Sequence, residues 1–357
     1  MAVSAAAGLA LLALLMVWGG VTPGDVARTL VGLPPWVYFV CLAMHFGVYC
    51  LRSLRFLRLI PRAQRPSFTA MMAVSASHNL ASYVLPAKSG EATLVLYLKG
   101  VCRVSGAAGL ASLIVSRLYD FAVMTGTLAL ATAWLTTSPH WSAPRWVGLV
   151  GAGGLATASA TFLLLALRGE KVMGPLRLGL RTLRLDRTRF GRKLYELSQR
   201  ASDALRVARG GTSVSTLLVL TALIWAGAFL FYALMARGFG LPERIGFLEA
   251  VFGSGLAVMS NILPLNAFAG FGTQETGWVL GFGVLGIDRE SAFATGLAVH
   301  LVQLFNVCLM GLIGHVVMGA LPRTAGPEEA APRAPVTPRV EPPGAATKAP
   351  GPPTGVG

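Results

Sequence analysis

HNLASYVLPAKSGEATLVLYLKG, residues 78–100, is mostly apolar, yet it holds Lys88 and Glu91 near its middle, beside Pro86 and Gly90. A charge at the centre of a bilayer costs about 2.5–3.5 kcal/mol on insertion scales, so two of them in one apolar stretch need a reason. Proline and glycine both interrupt helices. The stretch therefore reads as helix, charged break, helix. Its surroundings decide whether that break lies in a membrane.

They say that it does. The 357 residues are 54% hydrophobic and only 13% charged, with a mean hydropathy of +0.64. Soluble domains carry about twice that share of charge. Apolar runs long enough to cross a bilayer lie at 2–20, 34–51, 105–136, 146–167, 213–236 and 291–319. Two further apolar regions, 67–100 and 246–286, are interrupted by Pro, Gly and charge. The run at 2–20 has no Lys or Arg before it and no clear small-residue cleavage site after it, so it reads as a first span rather than a signal peptide. The net charge of +15 would suggest nucleic acid in a soluble protein. Here it marks the loops, and no nucleic-acid partner is expected. The four cysteines show no CxxC or metal spacing. They read as small hydrophobes, and neither metal nor cofactor is expected.

Positive loops set the orientation. "RSLRFLRLIPRAQRP" carries Arg52, Arg55, Arg58, Arg62 and Arg65 with no acid, and 168–212 holds twelve Lys or Arg against four Asp or Glu. The loops 21–33, 137–145, 237–245 and 287–290 hold five Lys or Arg together. The first two segments are thus placed in the cytoplasm, and the expected location is the plasma membrane with both termini inside. Lys99 and Arg103 read as cytoplasmic too. The chain between Arg65 and Arg103 must then return to its own side. Residues 91–99 are too short to cross as a helix, so a re-entrant hairpin broken at Pro86–Gly90 is expected. Irregular backbone is tolerated at that depth only where protein or a wet cavity covers it, so the break should face inward.

The region "AVMSNILPLNAFAGFGTQETGWVLGFGVLG", 257–286, repeats the pattern from the opposite face, with Asn261, then Leu263-Pro264, then Gly272 and Glu275. Span, hairpin, span occurs twice, in the manner of an inverted repeat. The expected fold is an all-α polytopic membrane protein of about six full spans plus two re-entrant hairpins, with one transmembrane domain over 1–321. Within it, 168–212 reads as a basic amphipathic segment drawn to anionic inner-leaflet lipids, or as a solvated helical linker. The tail 322–357 holds ten of the 21 prolines and reads as disordered.

Three blocks, "LPAKSGE", "SRLYDFAVM" and "LPLNAFAGFGTQE", resemble the signatures of the flippase-like transmembrane family, which includes the transmembrane domain of lysylphosphatidylglycerol synthases. Their usual forms are Leu-Pro-x-Arg-x-Gly-Glu, Glu-Arg-x-x-Asp and Leu-Pro-x-x-x-Gly-x-Gly-x-x-Glu. Pro86, Lys88, Gly90 and Glu91 fall on the first, with Lys for the common Arg. Arg117 and Asp120 fall on the second, where Ser116 replaces a Glu. Pro264, Gly270, Gly272 and Glu275 fall on the third. Leu94 stands where a basic residue often follows. The resemblance covers roughly 5–320 and carries no aminoacyl-transferase domain. It implies movement of a lipid or lipid-linked headgroup between leaflets.

The residues themselves point to a polar path. Lys88, Glu91, Arg117, Asp120 and Glu275 all lie inside apolar segments, and such groups pair, face a wet cavity, or both. The short helices should begin near Ser89 and near Thr273, their N-termini offering N–H groups to a phosphate. Gly90, Gly270 and Gly272 would let the backbone approach a ligand. The alternatives stay open: Glu91 and Glu275 offsetting helix dipoles, and Arg117 with Asp120 clamping helices. His78, Asn79 and Asn261 approach the breaks. His300, Gln303 and Asn306 share a helix face, as cavity lining or as interhelical polar contacts. Glu249 reads as interfacial.

No P-loop is present, so ATP hydrolysis by this chain is not expected. Neither paired carboxylates nor a His–Asp pair marks a cytoplasmic loop, so an enzyme acting on lipid phosphates is disfavoured. A non-transporting scaffold with a transferase as its partner remains as the alternative to a lipid translocase.

Overall fold

Arg52, Arg55 and Arg58 do not lie in a loop. The second apolar run continues past them as one helix, α2 (Pro35–Leu59), after a short α1 (Pro23–Val31). The connection that remains, Ile60–Ser67, is much shorter than the expected cytoplasmic segment beginning at residue 52. Arg55 is almost fully buried, so its role is structural pairing rather than orientation alone. A loop count cannot see this, because a paired arginine can extend a helix inward that an unpaired one would end.

The computed structural model describes residues 13–14, 16–17, 20–85, 89–182, 188, 192, 213–262 and 268–321. Most of the expected first span, Lys88 in the first break, most of 183–212 and the tail from 322 lie outside them. The described chain is all-helical, with no strand. After α2 come α3 (Phe68–Val84), α4 (Glu91–Gly100), α5 (Gly106–Leu135) and α6 (Arg145–Thr182). They are followed by α7 (Val214–Gly238), α8 (Phe247–Ile262), α9 (Thr273–Val284) and α10 (Arg289–Ala320). Among the described residues, five helical segments are long and apolar enough to cross a membrane: α2, α5, Arg145–Arg168 of α6, α7 and α10. Helix α6 leaves helical geometry at Arg168 (φ −133°, ψ 21°), where the basic segment was expected to begin.

The two broken regions each form a pair of shorter helices. Ser67 caps α3 through Ala70 N–H, and Ser105 caps α5 through Ala108 N–H. Between them the chain leaves and comes back: the Ser105 N–H donates to Gln64 Oε1 at 2.9 Å. The second pair closes likewise. Arg244, before α8, donates to the carbonyls of Leu285 and Gly286, after α9, at 3.1 Å each. Four loops read as external also meet at this end. Ser142 donates to the Val284 carbonyl, and residues of 21–33, 237–245 and 287–290 line one cavity of about 430 Å³.

Small residues hold the second pair together. A Cβ on Gly281 would fall 2.4 Å from the Gly253 carbonyl oxygen, and one on Gly277 would fall 2.6 Å from Ala257 Cα. Gly253 and Ala257 of α8 thus face Gly281 and Gly277 of α9, four residues apart on each side, with backbones in direct contact. In the first pair Gly90 plays that part, since its Cβ would fall 2.4 Å from both the Ala81 oxygen and Ser82 Cα. Trp278 and Phe282, both fully buried with ring centroids 4.6 Å apart, fill the interior beside α9. Cys41 is buried in this core as a small hydrophobe, and the other three cysteines are half-buried.

Candidate functional site

Asp120 lies 14 residues after the start of α5 at Gly106 and 15 before its end at Leu135. At 1.5 Å per residue that is about 21 Å from either end, so its carboxylate is as deep as this helix can place it. Three helices meet there. Arg55 of α2 donates to both oxygens of Asp120, Nη1 to Oδ1 at 2.6 Å and Nη2 to Oδ2 at 2.9 Å, and also to Thr221 Oγ1 of α7 at 3.0 Å. The Trp225 indole N–H of α7 donates to Asp120 Oδ1 at 3.2 Å. On the other side, Arg117 Nη1 stands 3.5 Å from Asp120 Oδ2.

Arg117 then reaches the first break. Its Nε donates to Glu91 Oε2 at 3.1 Å and its Nη2 to Glu91 Oε1 at 2.5 Å. Glu91 opens α4, directly after the Gly90 cap. The sequence Glu91, Arg117, Asp120, Arg55 is a chain of alternating charge running from the break into the core. Each member answers its neighbours, and that is how ionised groups survive in a poorly polarisable interior.

This chain borders a cavity of about 570 Å³. Glu91, Arg117, Arg52, Tyr49, Asn79 and Tyr83 supply part of its polar wall, together with Gln303 of α10 and the backbone at Ala269–Gly270. Leu113, Ile114, Leu118, Phe121, Phe231 and Val258 give it an apolar side. Both broken regions therefore contribute to one chamber. Asn79 donates to the Tyr49 hydroxyl at 2.7 Å and accepts from Arg52 at 3.4 Å. His78 is buried behind the break, its Nδ1 near the Gly90 carbonyl and Thr93 Oγ1, both at 3.2 Å. It fixes the start of α4 and does not line the cavity.

The second break is built differently. Ala269 (φ +55°), Gly270 (φ +85°) and Gly272 (φ +82°) take left-handed backbone, which turns the chain sharply into α9. Glu275 is fully buried, and its Oε2 accepts the Gly272 N–H at 2.7 Å. Its Oε1 lies 2.5 Å from His300 Nδ1, and His300 Nε2 donates to the Ala269 carbonyl at 3.0 Å. Glu275, Gly272 and Thr273 stand behind the cavity wall that Ala269 and Gly270 form. Thr273 Oγ1 donates to the Gly270 carbonyl at 2.9 Å. Gln303 accepts from Tyr232 at 3.1 Å and from Gln274 at 3.2 Å, and donates to the Tyr83 hydroxyl. It is thus both cavity lining and an interhelical contact. Asn306 accepts from the Tyr38 hydroxyl at 3.4 Å.

Of the expected site residues, the structure brings Glu91, Arg117, Asp120, Asn79, Gly270 and Gln303 to the cavity or its charge chain. Ser89 is exposed just before α4, and Glu249 is half-buried in the first turn of α8. Lys88 and the side chain of Asn261 lie outside the described residues. Arg52 and Arg55 were missed as site residues, because both were assigned to a loop. The available signal was their spacing: Arg52, Arg55, Leu59 continue the helical face of Tyr49.

A family model described as the lysylphosphatidylglycerol synthase TM region matches residues 5–311. No curated protein and no solved structure matches the chain.

Proposed function

The chain belongs to the family of the lysylphosphatidylglycerol synthase TM region, and on that premise we propose that this multi-pass membrane protein moves a lipid or lipid-linked headgroup between leaflets. The observation that carries the reading is the cavity bordered by Glu91, Arg117 and Arg52, with residues beside both chain breaks, Leu85 and Ala269–Gly270, in its walls. A headgroup would travel through this polar chamber while its acyl chains stay against the apolar side. Interhelical packing alone gives no reason to gather charge around an open volume. The activity proposed is transport without chemistry on the lipid.

In this reading α3–α4 and α8–α9 are re-entrant hairpins entering from opposite faces, and the order span, hairpin, span makes an inverted repeat. The second helix of each pair has 10 and 12 residues, about 15 and 18 Å, short of the roughly 30 Å of hydrocarbon. The protein would sit in the plasma membrane with 168–212 and both termini cytoplasmic, the basic segment resting on anionic lipids. A cysteine-labelling scan that finds 168–212 accessible from outside would invert this topology.

The deciding experiment is leaflet-specific labelling of lipid in proteoliposomes made from native lipid extract. Wild type should equilibrate the labelled lipid across the bilayer, and Glu91→Gln should slow it strongly, because Arg117 then loses the nearer of its two carboxylates. Equal rates in protein-free vesicles and in wild type would reject the translocase.

A further inference from the structure

The cavity has a charge left over, and its sign identifies what fits. Among the described residues its lining holds one carboxylate, Glu91, and two guanidiniums, Arg117 and Arg52, with the Asp120–Arg55 pair behind Arg117. Arg55 and Arg117 answer the two carboxylates. Arg52 lines the cavity and makes no ion pair among the described residues; its one hydrogen bond, at 3.4 Å, goes to the neutral amide oxygen of Asn79. Glu91 is the one carboxylate among the described residues lining the cavity, and both its oxygens are held by Arg117.

The uncharged groups lean the same way. The Tyr49 hydroxyl accepts from Asn79, and the Tyr83 hydroxyl accepts from Gln303. Each phenolic hydrogen is left to donate, with no acceptor among the described residues. Both hydroxyls line the same cavity as Arg52. Among the described residues the chamber thus offers spare donors and one spare positive charge, but no spare carboxylate.

Resting on the translocase reading of this same cavity, we infer that its ligand is a lipid phosphodiester with a single negative charge and an otherwise uncharged headgroup, and that Arg52, with the Tyr49 and Tyr83 hydroxyls, holds the phosphate. A phosphate monoanion completes the charge balance and accepts what these donors offer. An aminoacylated headgroup brings ammonium groups. They would meet Arg52 and Arg117 with no free carboxylate to receive them, and like charge in such a site is repelled. The selection comes from this chain's own arginine excess and opposes carriage of a lysyl ester.

The test is thermal unfolding of the purified full chain in detergent, titrated with three lipids: phosphatidylglycerol, its lysyl ester and phosphatidylcholine. Phosphatidylglycerol should raise the melting temperature at a half-saturating concentration at least about tenfold lower than either other lipid. Arg52→Gln should melt like wild type without lipid and lose the phosphatidylglycerol shift, while Arg52→Lys keeps part of it. Stronger protection by the lysyl ester, or an undiminished shift in Arg52→Gln, would overturn the assignment. Glycerophosphoglycerol, the same headgroup without acyl chains, should protect weakly; protection equal to the lipid's would overturn a lipid as the source. Binding as expected without movement in proteoliposomes would sink the proposed function and leave this assignment standing.

Discussion

Arg55 and Asp120, 65 residues apart in the chain, meet through two parallel hydrogen bonds of 2.6 and 2.9 Å in the interior of the helix bundle. The pair joins α2 to α5, and Thr221 and Trp225 tie it to α7. It is the anchor from which Arg117 and Glu91 reach the cavity.

Removing one partner strands the other. Arg55→Leu leaves the Asp120 carboxylate buried with only Trp225 and the looser contact to Arg117 at 3.5 Å, and should cost about 3–5 kcal/mol of stability. The double variant Arg55→Met with Asp120→Leu should recover most of that loss, because a well-packed apolar pair replaces a desolvated ionic one at little net cost. Thermal unfolding of the two variants in detergent measures this. A double variant no more stable than the single one would show that Thr221 and Trp225 depend on the pair.

Gly90 should be the least replaceable glycine of the first broken region. A Cβ there would fall 2.4 Å from backbone atoms of Ala81 and Ser82, and backbone cannot swing aside as a side chain can. Gly90→Ala must push α4 off α3, at about 1–3 kcal/mol, and carry Glu91 away from Arg117. Gly100→Ala is the matched control, since a Cβ there meets nothing within 4 Å. Lipid movement should fall sharply in the first variant and hold in the second. Equal activity in both would mean that the start of α4 does not need this packing.

The periodicity made most of the long helices and the interruption of two apolar regions legible in the sequence, but not α1 or the continuation of α2 through Arg58. Asp120 and Arg117 stood out because a charge inside an apolar run demands a partner. The partner's identity did not stand out. The spacing of Arg52 and Arg55 with Tyr49 could place them on a helix face, but Arg55 lies 65 residues from Asp120, and no local feature names that partner. Glu275 shows the opposite error of reading. Its position in the first turn of α9 was visible, but its burial against His300 depends on α10 packing beside it. The cavity was legible only as an inference that charged breaks must face something polar.

At the end opposite the basic loops, α1 has its own small electrostatic lock. The Asp25 carboxyl is held down at about 2, chiefly by hydrogen bonds from the Thr22 side chain and backbone, with help from Arg28. The folded value lies below the usual carboxylate range near 3.9. The contribution is therefore complete above about pH 4 and is lost as pH falls toward 2. Backbone amides of α1 should lose protection over that interval, measured against the intrinsic exchange rate at each pH, and Asp25→Asn should remove that loss. Unchanged protection of α1 from pH 5 to pH 2 would contradict the assignment.

Glu275 and His300 should separate structure from transport. The Ala269 carbonyl can only accept, so His300 Nε2 carries a hydrogen. One further proton lies between Nδ1 and Glu275 Oε1, and the pair has no net charge whichever atom holds it. Glu275→Gln can keep both contacts, its amide oxygen accepting from Gly272 N–H and its NH2 donating to Nδ1. It should fold and move lipid like wild type, because Glu275 stands behind the cavity wall rather than in it. Glu275→Leu leaves the Gly272 N–H and His300 Nδ1 without partners in the core, at about 1–3 kcal/mol for each unsatisfied group. It should release the turn at Ala269–Gly270 and lower both melting temperature and transport. A Glu275→Gln variant that folds normally but no longer moves lipid would instead place the shared proton in the transport cycle itself.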